Sequence, residues 1–89
     1  MDINASPVDV ICLCDADGTI RPLRLRMEDE EHMLVRADVE EILDSKCSMQ
    51  FGAEFMWFLC RAKICGRFRI LEIKYSVRNH SWSILHGKM

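Results

Sequence analysis

The chain has 89 residues, of which 49% are apolar and 29% charged, with a net charge of −2. That is globular rather than disordered composition, a length suited to one domain with a core of marginal size, and a charge that by itself selects no partner. The longest unbroken apolar run, Phe55 to Cys60, is far shorter than the roughly 20 residues of a membrane helix. Met1-Asp2-Ile3-Asn4-Ala5-Ser6 has neither the basic flank nor the apolar stretch of an export signal. The expectation is a cytoplasmic, single-domain protein (1–89) with no membrane partner and with reduced thiols.

In chain order, residues 1–6 read as a tail. Val8, Val10, Cys12 and Cys14 then alternate with Asp9, Ile11 and Leu13, which predicts a first strand. Asp15-Ala16-Asp17-Gly18-Thr19 predicts a hairpin loop, with a bulge at the glycine. In the second strand, Ile20 to Met27, Leu23, Leu25 and Met27 oppose Arg24 and Arg26. Pro22 lacks a donor, so this strand lies at an edge or starts irregularly. Met27 to Glu31 reads as a solvated turn.

Residues 33–46 fit two periods. Val35, Val39, Ile42 and Leu43 suit a helical stripe, and Asp38 with Glu41 resembles a capping box. A strand through Val39, Glu41 and Leu43, shifted in phase by a bulge near Ile42, accounts for the segment equally well. The short span and its β-branched residues favour the strand; the alternative is an α+β fold with one short helix near 38–46. Ser48 to Ala53 reads as a connection.

Met56, Phe58, Cys60, Ala62 and Ile64 form one face of a long strand. Its other face begins with Phe55, Trp57 and Leu59 and ends with Arg61 and Lys63. Cys65-Gly66 makes a tight turn. Phe68 and Ile70 alternate with Arg67 and Arg69 before Leu71, Ile73 and Tyr75 take over the apolar phase, which predicts a further bulge or bend. Arg78-Asn79-His80 is a turn, and Trp82, Ile84 and Leu85 a last strand. The whole predicts an all-β fold over 8–86: a small six-stranded barrel or a strongly curved antiparallel sheet.

This order of features resembles a group of small, uncharacterised bacterial β-rich domains of Firmicutes type. The shared elements are a first strand with an acidic-glycine turn, an "IRPLRLR" strand (Ile20 to Arg26), a "VEEILD"-like strand (Val39 to Asp44) and a closing strand with Trp82. The resemblance spans roughly residues 8–85. It implies an all-β fold with strand at 39–44 and implies no activity or thiol chemistry.

Cys12, Cys14, Cys60 and Cys65 supply enough thiolates for a tetrahedral zinc site. Their spacing lacks the usual knuckle, with two residues between ligands, and three of them interrupt apolar strand faces. Core filling is therefore the expectation for these thiols, and no metal or cofactor is expected. No nucleophile motif, phosphate-binding glycine loop or metal-binding helix motif occurs, so no catalytic residue is assigned and a non-enzymatic protein is expected.

Residues 1–44 carry 12 acidic and 4 basic side chains, net −8, whereas residues 45–89 carry 2 acidic and 8 basic, net +6. Either strands of the two halves interleave and the charges pair, or the molecule is bipolar. Two candidate surfaces follow. Phe55, Trp57 and Leu59 form an apolar patch suited to a protein interface, with a homodimer as the simplest partner. Arg24, Arg26, Arg61, Lys63, Arg67 and Arg69 form a cationic stripe suited to single-stranded nucleic acid, although the calculated pI of about 5.9 is low for that role.

Overall fold

The computed structural model describes residues 5–85. Residues 1–4 of the expected tail, and His86 at the end of the expected domain, lie outside the described residues. The chain is all-β. Seven antiparallel strands form one curled, half-barrel sheet: β1 (Ala5–Pro7), β2 (Asp9–Cys14), β3 (Ile20–Glu28), β4 (Leu34–Gln50), β5 (Ala53–Ile64), β6 (Arg67–Ser76) and β7 (Ser81–Leu85). Their spatial order is β1-β7-β6-β5-β4-β3-β2. The segment expected to be a helix or a strand is strand throughout.

The count of seven rather than six comes from the N-terminal segment. Ala5 and Ser6, expected in the tail, belong to β1, which pairs with β7, whereas β2 pairs with β3 at the opposite side of the sheet. Only Val8 separates them, and its N–H donates to the Trp82 carbonyl at 3.2 Å. One run of chain thus touches both margins of the sheet and curls it. Pro7 sits where the switch begins, at a position that needs no further donor.

Two bulges shape the middle. Along β4, residues Glu40 and Leu43 have no partner on β5: the register passes from Val39↔Ala62 to Glu41↔Arg61, and from Ile42↔Cys60 to Asp44↔Leu59. On the other hairpin Leu23 is the extra residue, between the pairs Ile11↔Arg24 and Cys12↔Pro22. Bulges bend and over-twist the strands that carry them. Pairing of β3 with β4 accordingly stops at Arg24↔Asp38, and the β2–β3 and β4–β5 hairpins part beyond that row.

Turns follow the expected residues with small shifts. Gly18 takes φ 91°, donating its N–H to the Asp15 carbonyl at 2.9 Å. The acidic turn spans 29–33 rather than 27–31. The expected connection at 48–53 contracts to Phe51-Gly52, because Ser48, Met49 and Gln50 continue β4.

The core lies on the concave face: Leu25, Ala37, Phe58, Cys60, Ala62, Ile73, Tyr75 and Ile84 are buried. Trp82 stacks on Phe58 at 5.9 Å and tilts on Tyr75 at 4.7 Å. β5 and β6 pair without any register shift from Phe55↔Ser76 to Ile64↔Arg67, so the bulge expected in β6 is absent. The change of apolar phase there has another cause. The concave face ends at Leu71, leaving Arg67 and Arg69 at its rim, while Phe68 and Ile70 lie on the convex face at 56% and 57% exposure.

Phe58 joins the strands through Ile73, its partner on β6, and through Trp82. Phe58→Ala is expected to cost about 3–5 kcal/mol, a large share of the roughly 5–15 kcal/mol that holds a domain of this size. Urea unfolding monitored by tryptophan fluorescence measures it, and a loss below 1 kcal/mol contradicts the packing described.

Candidate functional site

The cysteines are not core residues as a group. Only Cys60 is buried; Cys12, Cys14, Cys47 and Cys65 are exposed. Cys12 and Cys14 lie opposite Pro22 and Ile20, in phase with the concave face, yet both are exposed although Pro22 is fully buried. The alternation holds, while the burial expected from it does not. Cys65 occupies a turn at φ 52°. Among the described residues no group of three or more His, Cys, Asp or Glu side chains gathers in a metal-binding arrangement. Burial pushes the Cys60 thiol up to about 11.

Phe55, Trp57 and Leu59 share the convex face of β5 and are half-buried. Their cover comes from this chain. The Lys74 ammonium stands 4.3 Å from the centre of the Phe55 ring, and that of Lys46 stands 4.7 Å from Trp57. The indole N–H of Trp57 donates to Glu72 Oε2 at 3.1 Å. Leu59 lies between its ladder partners Asp44 and Glu72. Both ammonium groups sit over the ring faces as cation–π contacts and dress the row.

The six cationic residues do not share one face. Arg24 and Arg26 (β3) and Arg61 and Lys63 (β5) project from the convex face, whereas Arg67 and Arg69 (β6) lie at the concave rim. Most of the convex cations are engaged. Arg24 Nε donates to Asp38 Oδ1 at 2.8 Å, Arg26 pairs with Asp9, and Arg61 reaches Glu41 at 3.3 Å. Arg61 and Lys63 also flank the Phe68 ring, at 5.0 and 5.8 Å. Of these ion pairs only Arg61–Glu41 joins the basic half of the sequence to the acidic half; the other two lie within residues 1–44. A shallow cleft of about 430 Å³ includes Ile11, Leu34, Arg24 and Arg26, with both arginines already paired to carboxylates.

In the Asp15–Thr19 loop, a hydrogen bond with Asp15 holds Asp17 down to about 2, helped by the hydrogen bonds from Thr19. The Thr19 amide reaches Asp17 Oδ1 at 2.9 Å and Asp15 Oδ1 at 3.1 Å. This knot of hydrogen bonds closes the loop.

A feature not anticipated from the sequence is the edge of β4. The strand runs 17 residues, but β3 accompanies it only from Leu34 to Asp38. From Val39 to Gln50 its second side has no strand among the described residues. The direction of each backbone group follows from the turn. Phe51 (φ 53°) and Gly52 (φ 79°) make a two-residue hairpin, so the flanking Gln50 and Ala53 bond to each other. Alternation then turns Ser48, Lys46 and Asp44 toward β5, and Met49, Cys47 and Ser45 toward open solvent. The Ser45 N–H confirms this, since it donates to the carboxylate of Asp44 at 2.8 Å rather than to β5. Phe51, at the tip, is fully exposed. The signal that could have revealed the edge was the length mismatch between an eight-residue second strand and the apolar positions continuing beyond Leu43.

Two outcomes check this geometry. A thiol reagent should modify four cysteines rapidly in the folded protein and the fifth, Cys60, only on unfolding. Because the Cys60 pKa is raised above its ordinary 9.0, stability is intact below pH 9 and falls between pH 9 and 11, where the unfolded chain ionises first; the loss should reach roughly 2–3 kcal/mol and vanish in Cys60→Ala. Phe51→Asn should raise stability by about 1 kcal/mol, since asparagine tolerates the left-handed backbone and no packing is lost.

Compared with known protein families, with curated proteins and with solved structures, the chain finds no match in any of the three.

Proposed function

We propose that this chain is a non-catalytic, cytoplasmic protein-binding module that receives an extended segment of a protein on the free edge of β4. The observation that carries this reading is the row of outward backbone groups at Ser45, Cys47 and Met49 on a regular stretch of strand. Exposed edges add strands readily, and main-chain hydrogen bonds then provide much of the affinity. Folded proteins guard such edges with bulges and charge. Here bulges at Glu40 and Leu43 disrupt the lower part. Above them the register from Asp44↔Leu59 to Gln50↔Ala53 is unbroken, and the one guard is the Asp44 carboxylate on the Ser45 amide.

Phe51 supports the same reading. An aromatic residue in the left-handed region, touching nothing, lowers stability and contributes no packing, which suits a contact made with a partner. The dressed aromatic row Phe55, Trp57 and Leu59 then serves as the rigid floor that keeps the edge straight. Pairing of Arg24, Arg26 and Arg61 to carboxylates, and division of the six cations between two faces, favour protein over single-stranded nucleic acid as the partner.

Selection of random twelve-residue peptides against the full chain tests this. Selected peptides should protect the amides of Ser45, Cys47 and Met49 from hydrogen exchange. Cys47→Pro, which removes an outward donor and leaves the bonds to β5, should abolish binding without unfolding the domain. Ser48→Pro, which removes an inward donor, should destabilise the domain instead. Peptides that bind without protecting those amides, or tight salt-sensitive retention on single-stranded oligonucleotide, overturn the proposal.

A further inference from the structure

We infer that the segment best fitted to the β4 edge is the β4 edge of a second copy, paired antiparallel about a two-fold axis at Ser45. This deepens the edge-binding reading and rests on it.

A two-fold pairing of identical strands brings each residue opposite the one equally far on the other side of the axis. Five centres, Ser45 to Met49, fall on residues whose backbone groups face outward or on the residues between them. Axes through Ser48 or Met49 set Lys46 opposite Gln50 or Gly52 and match no opposite charges. An axis through Lys46 sets the two Lys46 side chains opposite each other. An axis through Cys47 faces Lys46 with Ser48 and Asp44 with Gln50, leaving all four charges unmatched. An axis through Ser45 sets Asp44 opposite the partner's Lys46 and Lys46 opposite the partner's Asp44. Of the five registers only this one matches opposite charges, and it does so twice; its regular pairing is confined to Asp44–Lys46, because Cys47 then lies opposite the bulged Leu43.

The side chains are already disposed for it. Asp44 and Lys46 lie on the same convex face, opposite Leu59 and Trp57 on β5. Lys46 holds its ammonium over the Trp57 ring and pairs with no carboxylate among the described residues. Asp44 accepts the Ser45 N–H at 2.8 Å. In the pair the Ser45 amides of the two copies bond to each other's carbonyls, releasing both carboxylates to meet the opposing ammonium groups. Asp44 is thus a guard on the isolated edge and a contact in the assembled one. Opposite charges directly across antiparallel strands attract, and like charges repel.

Light scattering or sedimentation over a concentration series should show a monomer–dimer equilibrium. Asp44→Lys alone and Lys46→Asp alone each place like charges across the axis and should weaken dimerisation roughly 10-fold or more. The double variant Asp44→Lys with Lys46→Asp restores both attractions and should recover dimerisation. Register is read by cross-linking. In a background with Cys12, Cys14, Cys47 and Cys65 replaced by Ser, Ser45→Cys places the paired Cα atoms about 5.5 Å apart, within disulfide reach. It should form a covalent dimer on mild oxidation, whereas the protein with native Cys47 as its only exposed thiol should not.

A protein that stays monomeric to its solubility limit, a double variant as weak as the singles, or cross-linking through Cys47 instead of residue 45 overturns the inference. If peptides still protect the Ser45, Cys47 and Met49 amides while no dimer forms, strand capture stands and self-pairing is refuted. Loss of both refutes both.

Discussion

The structure depends on the place where β3 and β4 stop pairing. Below the row Arg24–Asp38–Lys63 the strands form a continuous wall, held on its convex side by the Arg24–Asp38 ion pair and on its concave side by Leu25 against Ala37. Immediately above it three irregularities coincide: Pro22 without a donor, Leu23 as an extra residue on β3, and Glu40 as an extra residue on β4. Each is tolerable alone. Together they turn the two hairpins apart, and a ladder cannot resume once its strands diverge.

Two consequences follow from that parting. Beyond the parting Cys12, Cys14 and Cys47 meet solvent although they alternate as buried residues would. The β4–β5 hairpin also rises beyond its neighbour, with one side unpaired among the described residues. At the other margin, the short run Ala5 to Cys14 ties β7 to β3 and curls the lower wall around Leu25, Ile73 and Ile84. The fold is closed by sequence-local chain at one end and open at the other.

The convex surface is a grid of small electrostatic and cation–π contacts rather than a single patch. Exposed ion pairs such as Arg61–Glu41 contribute little each, about 0–1 kcal/mol. Their effect is organisational. They commit Arg24, Arg26 and Arg61 to neighbouring carboxylates, and lysine ammonium groups sit over Trp57 and Phe55. Among the described residues no strand pairs with the upper edge of β4, where the Asp44 carboxylate accepts the Ser45 amide N–H.

Much of the architecture is local and was legible in the residues. Period-two alternation identified the strands, Gly18 and Cys65-Gly66 marked their turns, and the phase slip near Ile42 marked a bulge that the β4–β5 register contains. The candidate site was not legible, because it is defined by absence of a neighbour. Alternation reports which side chains share a face, since that is set by the pleat; it does not report whether anything covers that face or lies beside that edge. Whether Cys12 is core or surface, whether Trp57 is bare or dressed by Lys46, and whether Ser45 offers its N–H to solvent are decided by contacts between segments distant in sequence. In this chain those contacts hinge on where two bulged hairpins separate, and only the tertiary structure fixes that point.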